Sequence, residues 1–584
     1  MKLITFNPWL NSNKDILKKL NKNKDFFLGD WCLKNFNTFE DENFKVIFGG
    51  DKDVNELKKF SKFSFPFKAY NSILKNLHKS LNLFHKKNED IKYWEFNINT
   101  WLWVYIDTMQ KRWRMIDNLK KFKINQVITL DTEKIDKTTL GSKHIKLISA
   151  NSILWNVKIF NEILDAKKFK NIKKIKINNK INDIYINRKS VELSYFNFSK
   201  LNKLNKEFFF YNLAIPKKIK FEFLLRNFQI PLFARQEKKK ILLDGDKSIR
   251  KKWREKYKFK NTSNEFVNFL NKTIPEVFPR VFLDKFYLLK NISRKLNWPN
   301  EPNKIFSSYA HFDDEVFKRY VSDLMSKKKS TYSIIQHGAG GIYKEHIGHF
   351  FEQKISNKYF TWGWKNNKKN FPLFITTNFD KNRKQNFNKV KFLLSIYQFP
   401  LFPQRSGFGY SWQHSRNTFY TNFLLNFLSN LNRGLIKNIY VKCIFLYKPC
   451  VQEIEIKKKF KDIKFINTVK KTHQINYSFQ LTIETFLSTG FFESMTLNRP
   501  VILLFNSQLI NVNKAFNVWV EKLKKLKICF TNLSDAIEFI NSSHKNLKDW
   551  WYDKKLQKMR EEFCNTFARN PEKYKKIFNE EISK

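Results

Sequence analysis

The stretch Ser333-Ile334-Ile335-Gln336-His337-Gly338-Ala339-Gly340-Gly341 decides how this chain is interpreted. Residues 332–335 predict a buried strand, and the glycines that follow predict a turn at its carboxyl end. Glycines at such a place let backbone N–H groups approach a ligand closely, and His337 can exchange a proton or face a phosphate near neutral pH. The stretch therefore predicts a functional site, against the alternative of a histidine that only caps a turn.

Strand-like and helix-like segments alternate on both sides of this stretch. Strands are expected at 304–308, 332–335 and 359–361, with a helix at 313–326 between the first two. A second series follows, with strands at 392–397, 439–446, 465–466, 480–483 and 501–505 and helices at 418–431 and 491–497. Alternation of this kind predicts an α/β fold with parallel sheets, and two Rossmann-like units in succession explain it most economically.

The first half of the chain carries different patterns. Short strands are expected at 3–6 and 26–32, and the region 66–122 is helical with a dense aromatic stripe that predicts core packing. Residues 166–190 and 235–262 are rich in Lys and are interpreted as solvated insertions or loops. No repeat of 20 to 50 residues is seen, which argues against a solenoid.

The charge balance restricts the partners. Among 584 residues, 110 Lys and Arg face 53 Asp and Glu, a formal net charge of +57. Abundant Lys, Asn, Ile and Phe indicate that part of this excess is compositional. Because the excess is spread along the chain, it favours anionic lipid or anionic substrates over a single nucleic-acid groove.

The cysteines and the hydropathy pattern restrict the compartment. The five cysteines include no Cys-x-x-Cys pair, so neither a disulfide framework nor a structural metal is expected. No stretch reaches the roughly 18 apolar residues of a spanning helix, and the first 14 residues lack a signal-peptide core. We therefore expect a cytoplasmic protein that can touch a membrane surface.

A second candidate site follows the predicted strand at 480–483. Ser488, Thr489 and Gly490 open a helix whose free N–H groups and positive dipole end suit a nucleotide pyrophosphate. Glu493 lies in the first turn, where it can accept hydrogen bonds from ribose hydroxyls. The competing interpretation is an ordinary capped helix with a favourable acidic residue.

Other polar residues are weaker candidates. Arg405 and Ser406 follow one predicted strand, and Lys442 and Lys448 flank another, where each could neutralise a phosphate. The acidic residues and histidines between 345 and 352 do not form His-Glu-x-x-His, so we interpret them as solvated residues and expect no metal site.

Taken together, these motifs resemble a known family, the transferases of bacterial O-antigen, capsule and surface-carbohydrate biosynthesis. The likeness spans nearly the whole chain and rests on residues 27–32, 93–114, 336–338, 355–364, 488–500, 550–551 and 562–564. The second half is more distantly similar to GT-B glycosyltransferases and to the glycerophosphotransferases of teichoic-acid synthesis. The resemblance implies a GT-B-like fold, with two Rossmann-like domains facing each other across a cleft.

The resemblance also implies roles for the candidate residues. His337 would be catalytic or would bind phosphate, Glu493 would bind ribose, and Gly338, Gly340, Arg405, Ser488, Thr489 and Gly490 would face the donor nucleotide and its phosphates. The implied domains are 1–385 for the acceptor, with helical and Lys-rich insertions, 386–545 for the nucleotide donor, and a helical segment, 546–584, near their junction.

The function that follows is transfer of a sugar from a nucleotide-activated donor to a glycan or a polyprenyl-pyrophosphate-linked acceptor, without a cofactor or metal. Two alternatives stay open. One is a basic nucleic-acid-binding protein, against which the dispersed charge argues. The other is an inactive relative that binds glycan or organises an assembly. Donor base, sugar, linkage and oligomeric state are not predicted.

Overall fold

The computed structural model shows an α/β protein with three parallel sheets and one antiparallel strand pair. It describes residues 1–584 except for 7, 9–13, 22–23, 33–44, 49–64, 168, 170–171, 179–180, 187, 189, 227–228, 230–234, 243–246, 345, 376–383, 399–401, 403–414, 444–450, 574–575, 577–579 and 581–584. The predicted α/β class with parallel sheets is confirmed.

The N-terminal sheet contains five parallel strands. They are β1 (Lys2–Ile4), β2 (Phe26–Gly29), β3 (Lys45–Phe48), β4 (Gln126–Leu130) and β5 (Lys173–Ile177), arranged β3-β2-β1-β4-β5. The order reverses between β1 and β4, as in a Rossmann-like sheet.

The antiparallel pair and the middle sheet follow. The pair is β6 (Ser190–Asn197) with β8 (Arg235–Leu242). The middle sheet is parallel and consists of β7 (Phe208–Tyr211), β9 (Lys304–Ser307), β10 (Thr331–Ile335), β11 (Lys358–Thr361) and β12 (Asn370–Pro372), in the order β12-β11-β10-β9-β7. The region 1–385, which the sequence assigned to one Rossmann-like unit, therefore holds two parallel sheets.

The C-terminal sheet has six parallel strands. They are β13 (Phe392–Ile396), β14 (Ile439–Cys443), β15 (Lys464–Phe465), β16 (Leu481–Glu484), β17 (Val501–Leu504) and β18 (Cys529–Phe530), arranged β15-β14-β13-β16-β17-β18. Every residue of β13, β16 and β17 is buried, as expected for central strands covered on both faces. Because the order reverses between β13 and β16, their carboxyl ends border a crevice in which ligands commonly bind.

Twenty described helices connect and cover these sheets. They are α1 (Lys14–Lys18), α2 (Phe67–His85), α3 (Ile91–Asn118), α4 (Ser142–Asn151), α5 (Ile153–Ala166), α6 (Lys217–Arg226), α7 (Lys247–Lys256), α8 (Glu265–Val277), α9 (Phe286–Lys295), α10 (Ala310–Asp313), α11 (Glu315–Ser326), α12 (Ile347–Ile355), α13 (Ser415–Ser429), α14 (Arg433–Ile436), α15 (Val451–Lys459), α16 (Thr489–Thr496), α17 (Lys514–Lys525), α18 (Leu533–Ser543), α19 (Leu547–Trp551) and α20 (Lys554–Phe567). None of them combines the length and apolar character needed to cross a membrane.

The aromatic stripe of the first half lies in the core, as predicted. Helix α3 begins at the cap residue Asp90, whose carboxylate accepts the backbone N–H of Tyr93 at 2.9 Å. Trp94, Trp101 and Trp103 on this helix are at most 1% exposed. The helix packs against α2, α4, α5 and α11, so it joins the N-terminal and middle sheets.

The Lys-rich segments were interpreted as solvated insertions or loops, and the loop interpretation is wrong for much of both. Residues 173–177, with the sequence Lys-Lys-Ile-Lys-Ile, form the edge strand β5, and residues 235–242 form β8. Residues 247–256 form helix α7, whose Trp253 is fully buried. An edge strand with one exposed face tolerates Lys, and the aliphatic stems of Lys cover apolar surface, so charge density alone does not predict a loop.

The middle and C-terminal sheets are joined beside the His337 loop. The short 3-10 helix Ala339–Ile342 follows that loop, and the carbonyl of Ile342 accepts the backbone N–H of Asn513 at 2.9 Å. Tyr343 forms a β-bridge with Val512 and donates its hydroxyl to the carbonyl of Leu487. These bonds fix the carboxyl end of β10 relative to the loop that precedes α16.

The C-terminal segment contacts helix α16 and the loop after β11. Arg560 on α20 donates to the carbonyl of Met495 on α16 at 2.8 Å, and the N–H of Arg569 donates to the carbonyl of Trp362 at 2.9 Å. Gly363 has a φ of +139°, and a Cβ there would lie 2.9 Å from the carbonyl oxygen of Thr566. A side chain at position 363 would therefore separate the C-terminal segment from the middle sheet.

Candidate active site

Gln336 holds the loop that carries His337. Its side-chain oxygen accepts the backbone N–H of Trp362 and the indole N–H of Trp364, each at 3.0 Å. Its amide nitrogen donates to the carbonyl of Gly338 at 2.7 Å. The Trp362-Gly363-Trp364 run therefore supports the loop from behind.

Two glycines of the loop are required by close packing. A Cβ on Gly340 would lie 2.6 Å from the ring of His346, and one on Gly341 would lie 2.2 Å from the ring of Trp364. Gly338 differs, because a Cβ there would approach nothing nearer than the Thr489 hydroxyl at 4.0 Å. Gly338 therefore faces the start of α16 across open space.

A buried carboxylate lies beneath His337. Glu352, on α12, is 3% exposed, and its Oε1 atom lies 3.5 Å from Nδ1 of His337 and 3.4 Å from Nε2 of His311. Its Oε2 atom lies 3.7 Å from Nδ1 of His349 and accepts the hydroxyl of Tyr359 at 3.0 Å. The interpretation of the 345–352 polar residues as solvated is wrong for His349 and Glu352, which are buried; Glu345 lies outside the described residues.

The cluster sets the charge of its members. Burial lowers the pKa of His337, and the Glu352 charge offsets part of that effect. Burial alone would raise the pKa of Glu352, but the close approach of the His311, His349 and His337 imidazoles lowers it well below the ordinary value for Glu. At neutral pH, His337 is therefore neutral beside an ionised carboxylate.

The start of α16 forms the opposite wall. The Ser488 hydroxyl caps the helix by accepting the Gly490 N–H at 2.9 Å, and it donates to Oε2 of Glu484 at 3.0 Å. A Cβ on Gly490 would lie 2.6 Å from Oε1 of Glu484. The Ser488 hydroxyl is thus committed within the protein, and the exposed features of this helix start are Thr489 and the backbone.

Glu484 is a second buried carboxylate, at the end of β16. It is fully buried, and burial raises its pKa to about 7, with the Ser488 hydrogen bond acting in the opposite direction. Lys442, across β13, is 5% exposed, and burial lowers its pKa. Both side chains therefore lie buried behind the helix start.

Glu493 lies one turn into α16 and pairs with a histidine. Its Oε2 atom lies 3.0 Å from Nδ1 of His473, and both side chains are at most 6% exposed. The carbonyl of His473 in turn accepts from the Arg499 guanidinium at 2.7 Å. The Glu493 carboxylate is therefore oriented by its neighbours.

One cavity of about 570 Å³ lies between the two walls. The middle-sheet wall supplies His337, Gly338, Ala339, Gly340, His346, Glu352 and Tyr359. The C-terminal wall supplies Tyr397, Lys442, Phe486, Ser488, Thr489, Gly490, Glu493 and the segment 468–472. The structure thus brings together every candidate residue except Arg405, which lies outside the described residues, as do Ser406 and Lys448.

Sequence reasoning missed several residues of this cavity. Lys470 and Lys471 line its rim but were indistinguishable from the other basic residues of the chain. His311 was missed too; it does not line the cavity but lies 3.4 Å from Oε1 of Glu352. It follows β9, so the positional rule that selected His337 would also have selected it. Among the described residues, no group of three or more His, Cys, Asp or Glu is placed to hold a metal ion.

A family model described as LIC12162 family transferase matches residues 12–582. Among curated proteins, an uncharacterized leucine-rich repeat-containing protein of Amsacta moorei entomopoxvirus is 37% identical over 79 residues. That match covers 12% of this chain and 16% of the relative, so the chain spans only a small part of it.

Solved structures overlap with the chain at low TM-scores. The wall teichoic acid polymerase TagF with CDPG gives a TM-score of 0.27 at 9% identity, covering 48% of this chain and 71% of that one. The pneumococcal O-GlcNAc transferase GtfA in complex with UDP and GlcNAc gives 0.30 at 8% identity, covering 52% and 60%. The fold description therefore rests on the strand orders given above and not on these overlaps.

Proposed function

Since the chain belongs to the LIC12162 family of transferases, we propose that it moves a sugar or related group from a nucleotide-activated donor to a glycan acceptor. The acceptor would be a surface polysaccharide or its polyprenyl-pyrophosphate-linked precursor. The observation that supports this proposal is the single cavity that joins a strand-end histidine to a helix start.

The C-terminal wall suits the donor nucleotide. The free N–H groups at the start of α16 favour a phosphate, and Lys442, Lys470 and Lys471 add positive charge around the same space. Glu493, held by His473, is an acceptor for ribose hydroxyls. In this assignment residues 386–545 hold the donor, and Gly338, Gly340, Thr489 and Gly490 border its phosphates.

The middle-sheet wall suits proton transfer from the acceptor. A neutral imidazole at the edge of the cavity can take the proton of an attacking hydroxyl as its oxygen bonds to the donor carbon. The bond from that carbon to the phosphate then breaks, and the departing phosphate gains negative charge beside the lysines and the helix start. His337 is the imidazole placed for this role, and residues 1–385 would hold the acceptor.

The positive charge of the protein favours an acceptor at a membrane surface. With a formal net charge of +57, the protein is attracted to anionic lipid, which would place it beside a lipid-linked acceptor at the inner membrane. Peripheral attachment of a cytoplasmic enzyme is therefore part of the proposal.

A thermal-shift panel of nucleotides, nucleotide sugars and a single-stranded oligonucleotide tests the proposal. We expect one nucleotide base family to raise the melting temperature at micromolar concentration, and Glu493→Ala to remove the shift. Stabilisation by the oligonucleotide alone, falling steeply with salt, would instead support the nucleic-acid-binding alternative. Nucleotide binding without transfer from any nucleotide sugar would support the inactive relative.

A further inference from the structure

Glu352 contacts three histidines beside the cavity. Three imidazoles, from His311, His337 and His349, lie within 3.4 to 3.7 Å of its two oxygens. They come from three separate places: α10, the loop after β10, and α12 itself. Glu352 therefore links three separate parts of the fold and does not contact its own helix alone.

The ring nitrogens that face Glu352 have no other partner among the described residues. Nε2 of His311, Nδ1 of His337 and Nδ1 of His349 are all buried and make no hydrogen bond of ordinary geometry, and the same holds for Oε1 of Glu352. Distances of 3.4 and 3.5 Å are slightly longer than a hydrogen bond. Catalytic hydrogen bonds are often long without substrate and shorten when it binds.

The remaining polar contacts hold the supporting members in place. Nδ1 of His311 lies 3.0 Å from the Tyr332 hydroxyl, and Tyr359 donates to Oε2 of Glu352. His337 interacts with the backbone of Ser308 and is 18% exposed toward the cavity, between the rings of Tyr309 and Phe312 at 5.8 Å each. Of the three imidazoles, His337 is the one that can reach a substrate.

We propose that Glu352 is the positioning residue of this transferase: its carboxylate holds the proton of His337 on Nδ1 and leaves Nε2 to take the proton of the acceptor hydroxyl. This inference rests on the proposed function. During transfer, the acceptor O–H bond breaks, Nε2–H forms, and the imidazolium is stabilised by the Glu352 charge without proton transfer to the carboxylate. His311 and His349 keep Glu352 ionised for that moment.

The proposed role requires an ionised Glu352 and a neutral His337, and the surroundings of the two side chains favour both states. The pKa of Glu352 is lowered and that of His337 is lowered, so the carboxylate is ionised and the imidazole is neutral at neutral pH. The titratable groups that face the pair are His311 from α10, Tyr332 from β10, His349 from α12 and Tyr359 from β11.

Glu352→Gln tests the role because it keeps the shape and removes the charge. We expect turnover to fall about 10²- to 10⁴-fold with donor affinity within about twofold of wild type. Because the carboxylate raises the pKa of His337, its loss should move the acid limb of the pH–rate profile to lower pH. Glu352→Asp should recover part of the turnover. A merely structural role predicts a lower melting temperature with an unchanged pH profile, which would overturn the proposal.

Nitrogen NMR of wild-type protein labelled with ¹⁵N-histidine keeps the proposal testable if these variants fail to fold. The His337 resonance is identified by its loss in His337→Gln, with His544→Gln, at the end of α18, as the matched control. We expect the Nδ1–H tautomer for His337 at pH 7.5; the Nε2–H tautomer would overturn the proposal. This readout needs no activity, so it fails separately from the proposed function, whose failure would appear in the nucleotide panel.

Discussion

The two walls of the cavity carry different arrangements of charged groups. On the middle-sheet wall, one carboxylate, Glu352, is shared by three imidazoles, which suits holding and moving a proton. On the C-terminal wall, a helix start is surrounded by Lys442, Lys470 and Lys471, which suits holding a fixed anion. Under the proposed function, proton transfer and anion binding fall on different sheets of one fold, so a substitution should remove one without the other.

The largest expected effect comes from the middle-sheet wall. His337→Ala removes the proton acceptor, so turnover should fall about 10²- to 10⁴-fold, the range for loss of a general base. Nucleotide affinity should stay close to wild type, because His337 bonds to no residue of the C-terminal wall. Steady-state kinetics measure turnover and calorimetry measures nucleotide affinity; wild-type turnover in this variant would contradict a proton-acceptor role for His337.

On the C-terminal wall, Gly490→Ala should disturb the helix start by overpacking. The new Cβ would lie 2.6 Å from Oε1 of Glu484 and 3.0 Å from the Ser488 hydroxyl, at an expected cost of about 1–3 kcal/mol in the free energy of unfolding. Gly434→Ala on α14 is the matched control, since a Cβ there meets nothing within 4 Å. Denaturant unfolding compares the two; equal stability would show that the helix start is less tightly packed than described.

Glu484 should make the stability of the C-terminal wall depend on pH. Its pKa is raised to about 7 by burial, so between pH 5 and 7 the folded state binds more protons than the unfolded state. The free energy of unfolding should therefore fall as pH rises through this range, by about 1.4 kcal/mol for each unit by which the pKa is raised.

Glu484→Gln should remove that fall and become more stable relative to wild type as the pH approaches 8. Glu561→Gln, at a residue whose side chain is 65% exposed, is the matched control and should follow the wild-type profile. Denaturant unfolding at pH 5, 6, 7 and 8 makes the measurement. Identical profiles for Glu484→Gln and wild type would contradict an ionisable group of raised pKa at this position.

The sequence predicted the strands around the cavity because parallel strands are short apolar runs between amphipathic helices. The predicted strand at 332–335 is observed as β10 (Thr331–Ile335), and that at 480–483 as β16 (Leu481–Glu484). Since both strands end at the same cavity, the strand-end rule located His337 and Gly490 together. Their roles in transfer stay predictions.

What the sequence did not predict depends on contacts between distant segments. His311 and Glu352 are 41 residues apart in the chain, and only the packing of α10 against α12 and β10 brings them together. The edge strand β5 was not predicted because its lysines resemble those of a solvated loop. Lys470 and Lys471 were not singled out because basic residues are abundant throughout the chain. The Ser488 hydroxyl was expected to face phosphate, whereas Glu484 and Gly490 engage it.

The most direct test of the division between the walls is nucleotide calorimetry combined with turnover on His337→Ala and Glu493→Ala, with the donor nucleotide found by the thermal-shift panel. Loss of a charged hydrogen-bond acceptor should weaken nucleotide binding about 10- to 100-fold in Glu493→Ala. We predict near wild-type affinity with lost turnover for His337→Ala, and weakened affinity with turnover recovered at saturating donor for Glu493→Ala. Equal losses of affinity and turnover in both variants would contradict separate roles for the two walls.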